Sequence, residues 1–203
     1  MTLPVLIPAA GLSSRMRGTD KLMLEVDGKP LLRRQIEIAQ AVSDDVRVAL
    51  PPAPHPRHGV VPDGATVIPV ADAATGMSAT VRALIASVSK TAQHAMILLA
   101  DLPALTAEDL RAVLGAVHTR PDALIWRGTT HGGAPGHPMI VACHLFAEFQ
   151  ALTGDTGGAM IAKAHAEQTC FVRLPGDHAR RDLDTPEDWI LWNEAQGTPP
   201  PRA

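Results

Sequence analysis

The sequence predicts an α/β fold around a largely parallel sheet, and three observations support this. Short apolar runs alternate with longer stretches of helical spacing, the pattern that βαβ units produce. The most hydrophobic run, Ala95–Ala100 (AMILLA), is apolar on both faces, as a central parallel strand would be. At 203 residues the chain is long enough for one full-sized domain and short for two independent cores. Residues 1–196 are therefore expected to form a single domain, followed by a Pro-rich, disordered tail over 197–203.

The elements follow in order. Leu3–Ala9 is the first strand, followed by a Gly/Ser loop. A helix over about Pro30–Val42 can face the sheet with Leu31, Leu32, Ile36, Ile38 and Ala39. Val46–Leu50 reads as the second strand, and the four prolines of 51–58 predict a surface loop with solvated His55 and His58. Thr66–Val70 is a third strand. Gly76-Met77-Ser78 then opens a helix with Val81, Leu84, Ile85 and Val88 on one stripe. After AMILLA comes a helix with Thr106 as N-cap, whose Glu108 and Asp109 suit the positive end of the dipole. Ala123–Trp126, Met139–Ala142 and Cys170–Leu174 are further strand candidates, and Gly157–Ala166 and Pro186–Ala195 further helices.

Bulk properties exclude several classes. A formal charge of −3 argues against a nucleic-acid surface. The apolar N-terminal run breaks at Pro8 without a basic leader, and no stretch approaches the roughly 20 apolar residues of a membrane span, so a cytoplasmic location is expected. Cys143 and Cys170 lie far apart with no CxxC pattern and read as reduced thiols.

Three segments can carry chemistry. Pro8-Ala9-Ala10-Gly11-Leu12-Ser13-Ser14-Arg15-Met16-Arg17-Gly18-Thr19-Asp20-Lys21 follows the first strand directly. Its small residues let backbone N–H groups approach a triphosphate, Ser13 and Ser14 add hydroxyl donors, and Arg15 and Lys21 supply charge. It matches neither a Walker A loop nor GxGxxG. A plain strand-to-helix loop would explain the glycines alone, but the strand, the small-residue turn and two spaced cations together favour phosphate binding. Asp101 stands at the carboxyl end of AMILLA, where open α/β sheets bind ligands and where a hard Mg²⁺ ion could take a carboxylate; a turn aspartate before Pro103 fits equally. Arg181–Asp188 clusters carboxylates before a helix, and capping accounts for them on composition alone. The glycine-rich segments Gly132–Pro138 and Gly154–Gly158 serve as substrate loops or as simple turns.

Together these segments resemble the MobA-like nucleotidyltransferases from about Leu3 to Trp189. Ala9–Met16 through Lys21-Leu22 is similar to the family's signature loop, and Gly28-Lys29-Pro30-Leu31-Leu32 follows at its usual distance. Gly76-Met77-Ser78, Asp101-Leu102-Pro103, Gly136-His137-Pro138 and Leu183-Asp184-Thr185-Pro186-Glu187-Asp188 match its later motifs. The resemblance implies a three-layer α/β/α Rossmann-like sandwich with a mostly parallel mixed sheet, of the nucleotide-diphospho-sugar transferase type. It also implies an Mg²⁺-dependent nucleotidyltransferase. Ala10 stands where guanylyl members tend to carry a second glycine, which points to the cytidylyl branch: CMP would pass from CTP to molybdopterin, for delivery to a molybdenum hydroxylase. Lys21, Arg15 and Asp101 would be catalytic, and Asp101 and Asp184 would hold the metal. Ala9, Ala10, Gly11, Leu12, Ser13, Ser14, Gly76, Met77 and Ser78 would surround the nucleotide, while Gly136, His137, Pro138 and the Gly154–Gly158 loop would face the pterin. Arg17 replaces a residue that is often glycine, and is either an added phosphate ligand or merely exposed; Leu102 replaces a frequent methionine. The alternatives are GTP in place of CTP, another acceptor such as a sugar or polyol phosphate, and a non-catalytic molybdenum cofactor carrier.

Overall fold

The computed structural model describes residues 3–73, 76–154 and 158–196. The expected tail over 197–203 and the middle of the Gly154–Gly158 loop lie outside the described residues.

The strands are β1 (Val5–Pro8), β2 (Glu25–Val26), β3 (Lys29–Pro30), β4 (Val46–Leu50), β5 (Ala65–Pro69), β6 (His94–Ile97), β7 (Ile125–Thr129), β8 (Pro135–Ala142) and β9 (Thr169–Arg173). The α-helices are α1 (Leu31–Gln40), α2 (Met77–Ser87), α3 (Ala107–Thr119), α4 (Phe146–Gln150), α5 (Ala159–Ala164) and α6 (Pro186–Gln196). The main sheet has the order β5-β4-β1-β6-β8-β7-β9. β5, β4, β1 and β6 run parallel, β8 runs antiparallel to both neighbours, and β7 and β9 are parallel to each other. β2 and β3 form a small hairpin whose turn, Asp27-Gly28, has positive φ at both residues, as a two-residue turn between twisted strands favours.

Alternation along the strands sends side chains to two cores, one on each sheet face. Val5, Ile7, Met96, Trp126 and Ile140 pack with Leu32 and Ile36 of α1, Leu110 and Val113 of α3 and Trp189 of α6. Leu6, Ala95, Ile97, Ile125, Met139 and Val141 pack with Val81, Leu84 and Ile85 of α2 and with Phe149 of α4. The result is the three-layer α/β/α arrangement with a mostly parallel mixed sheet.

Several elements differ from the sequence reading. The AMILLA strand ends at Ile97, four residues short of Asp101. Leu98 still donates to the Leu6 carbonyl, at 3.0 Å. The next rung of a parallel ladder would need an N–H at position 8, and proline has none. The two central strands therefore part at this edge. On α1 the buried stripe is Leu31, Leu32, Gln35, Ile36 and Ala39, with Ile38 partly buried against the same core; the Gln35 side-chain amide donates to the Leu102 carbonyl at 3.0 Å. Gly136-His137-Pro138 belongs to β8 and not to a loop. The segment 51–58 contains the start of a 3-10 turn, Pro56–Val60, and its histidines are engaged: His58 Nε2 lies 2.8 Å from the Pro51 carbonyl and His55 Nδ1 accepts from the Arg57 amide at 3.3 Å. The helix expected over Gly157–Ala166 is shorter, Ala159–Ala164, and a 3-10 turn follows it.

Candidate active site

The chain leaves β1, builds β4 and β5 on one side of it, and then returns to place β6 on the other side. Such a reversal of strand order leaves a crevice at the carboxyl ends of the two central strands. Here that crevice is a cleft of about 470 Å³. It is lined by Pro8–Arg15 from the loop after β1, by Lys21, by Gly76, Met77 and Thr80 at the start of α2, by Leu99–Asp101 after β6, and by Asp182 and Asp184. The amino end of α2 opens onto it, with Gly76 at φ 120° in the N-cap position, so the positive end of that helix dipole faces the space.

The loop after β1 is shaped by a residue that sequence reasoning missed. Arg57, carried inward by the 3-10 turn after β4, is 2% exposed. Its Nε and one terminal nitrogen each donate to Asp20 at 2.7 Å, a two-pronged pairing. The other terminal nitrogen donates to the carbonyls of Ala9 at 2.6 Å and Gly11 at 2.8 Å, and a further bond reaches Ser13 Oγ at 3.2 Å. All five N–H donors of the guanidinium thus have acceptors. With Ala9 and Gly11 carbonyls held from beneath, the loop keeps one conformation, including a left-handed Ser13 at φ 51°. In the sequence Arg57 sits in a run of prolines, and no local pattern marks it as buried.

Opposite this loop stand the carboxylates. Lys21 Nζ donates to Asp101 Oδ2 at 2.6 Å and to Asp184 Oδ1 at 2.5 Å, and Arg15 meets Asp184 Oδ2 at 2.7 Å. Burial works against the Lys21 ammonium, yet the charges and hydrogen bonds of Asp101 and Asp184 outweigh it and hold its pKa above the ordinary lysine value. Asp182 lines the same cleft; burial and the neighbouring charges of Asp184 and Asp101 raise its pKa. The capping alternative for the acidic run is separated by position. Thr185 and Asp188 cap α6 reciprocally, with Thr185 N and Oγ1 donating to Asp188 Oδ2 at 2.8 and 2.7 Å, which leaves Asp184 to the cleft. Likewise Thr106 and Asp109 cap α3, so Asp101 is not needed there.

The donor set fits a divalent cation of the kind that completes its shell with phosphate and water. Asp101 Oδ1 is buried without a hydrogen-bond partner, a lone pair that a coordinated ion would satisfy. Asp101 and Asp184 are already drawn together around one cationic group, the Lys21 ammonium. Among the described residues no group of three or more His, Cys, Asp or Glu forms a ready-made cage. That agrees with Mg²⁺-type sites, which use one or two carboxylates together with substrate phosphates.

Of the residues singled out in the sequence, Ala9–Arg15, Lys21, Gly76, Met77, Asp101 and Asp184 converge on this cleft. Ser78 is near but turned away: it is buried and its Oγ donates to the Gly154 carbonyl at 2.5 Å. Gly136, His137 and Pro138 do not line the cleft. Gly136 is needed for packing, because a Cβ there would collide with the Ala179 carbonyl oxygen. Arg17 is not among the residues that line the cleft; it is exposed and paired with Glu187 at 2.7 Å.

The chain is similar to known proteins in its sequence family and in its fold. The MobA-like NTP transferase domain matches residues 5–169. Rv0371c from Mycobacterium tuberculosis H37Rv has a similar structure, with a TM-score of 0.82 at 24% identity over 96% of this chain and 98% of that one. Rv0371c in complex with manganese is similar at a TM-score of 0.80 and 22% identity, over 96% of this chain and 100% of that one. CMP:2-keto-3-deoxy-manno-octonic acid synthetase complexed with CTP shares the fold at a TM-score of 0.72 and 15% identity, over 97% and 99% of the two chains. No curated protein matches the chain in sequence. With the family pattern spanning most of its length, the chain belongs to the MobA-like NTP transferase domain family of nucleotidyltransferases.

Proposed function

We propose that the protein transfers CMP from CTP to the terminal phosphate of molybdopterin and releases pyrophosphate. The observation that carries nucleotidyl transfer is the placement of Lys21 between Asp101 and Asp184, facing a small-residue loop at the strand-order reversal. A phosphate oxygen of the acceptor attacks the α-phosphorus in line, and the bond from that phosphorus to the β-bridging oxygen breaks, its electron pair leaving with pyrophosphate. No protein nucleophile is needed. Asp101 and Asp184 would hold Mg²⁺, which supplies positive charge for the triphosphate and the departing pyrophosphate.

The chain's own contribution is positioning and charge. Backbone N–H groups of the loop after β1 and the Lys21 and Arg15 cations meet the phosphates. Leu12 and Met77 are the exposed apolar side chains at the mouth, 73% and 43% accessible, and offer surfaces for the base and ribose. Ala10 supports the cytidylyl reading: it is buried in the cleft wall, where its methyl group takes up room that a glycine would leave open. A structural relative bound to CTP and another bound to manganese support a nucleoside triphosphate and a divalent ion as ligands. A molybdenum hydroxylase would be the downstream partner.

Parallel calorimetric titration of CTP and GTP, with and without Mg²⁺, tests this reading. Metal-dependent binding that favours CTP by about tenfold, or roughly 1.4 kcal/mol, is expected. A preference for GTP would move the protein to guanylyl transfer. Turnover with a sugar or polyol phosphate and none with molybdopterin would replace the acceptor. Binding of the finished dinucleotide without turnover would favour a carrier.

A further inference from the structure

The carboxylates of the cleft already share a cation that belongs to the chain. Lys21 Nζ lies 2.6 Å from Asp101 Oδ2 and 2.5 Å from Asp184 Oδ1, and Arg15 meets Asp184 Oδ2 at 2.7 Å. The fourth oxygen of the pair, Asp101 Oδ1, is buried without a hydrogen-bond partner. An ion of the Mg²⁺ type binds carboxylate oxygens at about 2.0–2.1 Å. Each oxygen of Asp184 faces a cation of the chain, so an ion shared between the two aspartates has to displace Lys21 or Arg15. Like charges in contact repel, and one position between the carboxylates serves one cation at a time.

Backbone contacts hold the carboxylates where they are without help from Lys21. The Leu183 amide donates to the Asp101 carbonyl at 3.2 Å, which ties the two acidic segments together, and the Asp184 amide donates to Asp188 Oδ2 at 3.1 Å. Lys21 opens a 3-10 turn whose cap, Asp20, accepts from Leu22 N at 3.1 Å and is itself held by Arg57. Main chain and carboxylates are thus fixed, while the ammonium rides on a flexible four-carbon stem that can carry it from one anion to another. Lys21 is an occupant of the carboxylate pair and not its architect. With Arg15 it cancels the formal charges of Asp101 and Asp184, which leaves Asp182 as the one further carboxylate among the cleft-lining residues.

We propose that Lys21, seconded by Arg15, competes with the divalent ion for Asp101 and Asp184, so that the ion binds tightly only when a triphosphate draws these cations onto its own oxygens. A dication alone meets a pair of carboxylates that is already neutralised. A triphosphate offers the ammonium and the guanidinium new charge-assisted partners and frees the aspartates for the ion. By linkage the ion and the triphosphate then strengthen each other's binding by the same factor. The triphosphate as the displacing anion rests on the nucleotidyltransferase reading above; the competition between Lys21 and the ion does not.

The test uses Mn²⁺ alone as probe, titrated into the whole protein without nucleotide and followed by the electron paramagnetic resonance signal of the free ion. Lys21→Gln is expected to bind Mn²⁺ at least about tenfold more tightly than wild type, a coupling of ordinary size. Lys21→Arg, which keeps the charge, should stay within about threefold of wild type. Combining Lys21→Gln with Asp101→Asn should abolish the gain, which locates the ion at the carboxylate pair. Arg15→Gln, whose side chain is 69% exposed, carries little risk of misfolding and should tighten Mn²⁺ by at least about threefold. Equal Mn²⁺ affinity in wild type and Lys21→Gln, or a gain that survives Asp101→Asn, overturns the competition. Should Lys21→Gln fail to fold, Arg15→Gln decides alone, and wild-type affinity in that variant overturns the proposal. Because no nucleotide is present, failure of CTP to bind would remove the reading above and leave this result standing.

Discussion

Arg57 and Asp20 hold each other through two hydrogen bonds of 2.7 Å, and the same guanidinium fastens the Ala9 and Gly11 carbonyls of the loop after β1. The pair joins the segment after β4 to both ends of the loop after β1. Removing one partner of a buried ion pair costs about 3–5 kcal/mol because the other is left uncompensated. Arg57→Met is therefore expected to lower the urea midpoint and weaken CTP binding at least tenfold. Arg57→Lys, which keeps the charge and loses the fork, should restore stability better than it restores binding. A fully stable Arg57→Met protein with normal CTP affinity would contradict this account of the loop.

The acidic run before α6 divides its work between neighbours. Asp101→Asn is expected to reduce pyrophosphate release by about a thousandfold, corresponding to several kcal/mol of lost transition-state stabilisation. Asp184→Asn, which releases Lys21 and Arg15 together, should be milder in turnover and should raise the KM for the nucleotide. Thr185→Ala removes only the cap of α6 and should cost about 1 kcal/mol of stability with turnover nearly intact. Comparable turnover in Asp101→Asn and wild type would count against the proposal that Asp101 holds a metal.

Glycines 132 and 136 are four residues apart and should respond oppositely. Gly136→Ala sets a methyl group against the Ala179 backbone carbonyl and is expected to cost about 1–3 kcal/mol or more. At Gly132 an added Cβ meets only Thr130 Oγ1, at 3.8 Å, and Gly132→Ala should leave the melting temperature within a degree or two. Equal melting temperatures for the two variants would mean that Gly136 is not a packing residue.

Acidification should weaken the fold through His137. Burial lowers this imidazole to about 4, and the Arg127 charge adds to the shift against the Ile97 carbonyl bond and the Asp101 charge. The unfolded chain takes up the proton near the ordinary value of about 6.5, so between these values it binds more protons than the native state. Stability is then lost as pH falls from about 6.5 towards 4, by at most about 1.4 kcal/mol per unit from this group, and levels off below. His94, lowered by burial and by His118 and His144, acts in the same direction, and His165, raised by its bond to Glu148, acts against it. His137→Gln, compared with wild type in urea at pH 7, 6 and 5, cancels those two contributions and should show a shallower decline. Parallel declines would place the titration elsewhere.

Much of the frame is readable in the linear chain because it depends on short-range patterns. β4 at Val46–Leu50 falls where the apolar run and its flanking residues put it, and α3 begins at the Thr106 cap with Asp109 completing the box. The loop side of the cleft is legible for the same reason, since the lining residues Ala9–Arg15 and Lys21 come from one contiguous segment. What is hidden depends on residues brought together from afar. Arg57 is 37 residues from Asp20, and only the folded chain shows its burial. The end of β6 at Ile97 is decided by a proline in another strand, so the run AMILLA alone overstates its length. Gly136 reads as a ligand-contact glycine until Ala179, distant in sequence, is seen against it.

The reversal of β8 also bears on how such a protein could be re-tooled. Because β7 and β8 form an antiparallel pair, the short connection between them, residues 130–134, leaves the sheet at the same edge as the loops after β1 and β6. A hairpin tip is the most replaceable part of a sheet, since its length and chemistry can change while the paired strands beneath keep their register. The loop after β1 takes its shape from a buried arginine. The neighbouring hairpin makes no bond to that arginine among the described residues, so under the proposed nucleotidyl transfer its tip could be exchanged for a different acceptor while the loop after β1 stays as it is.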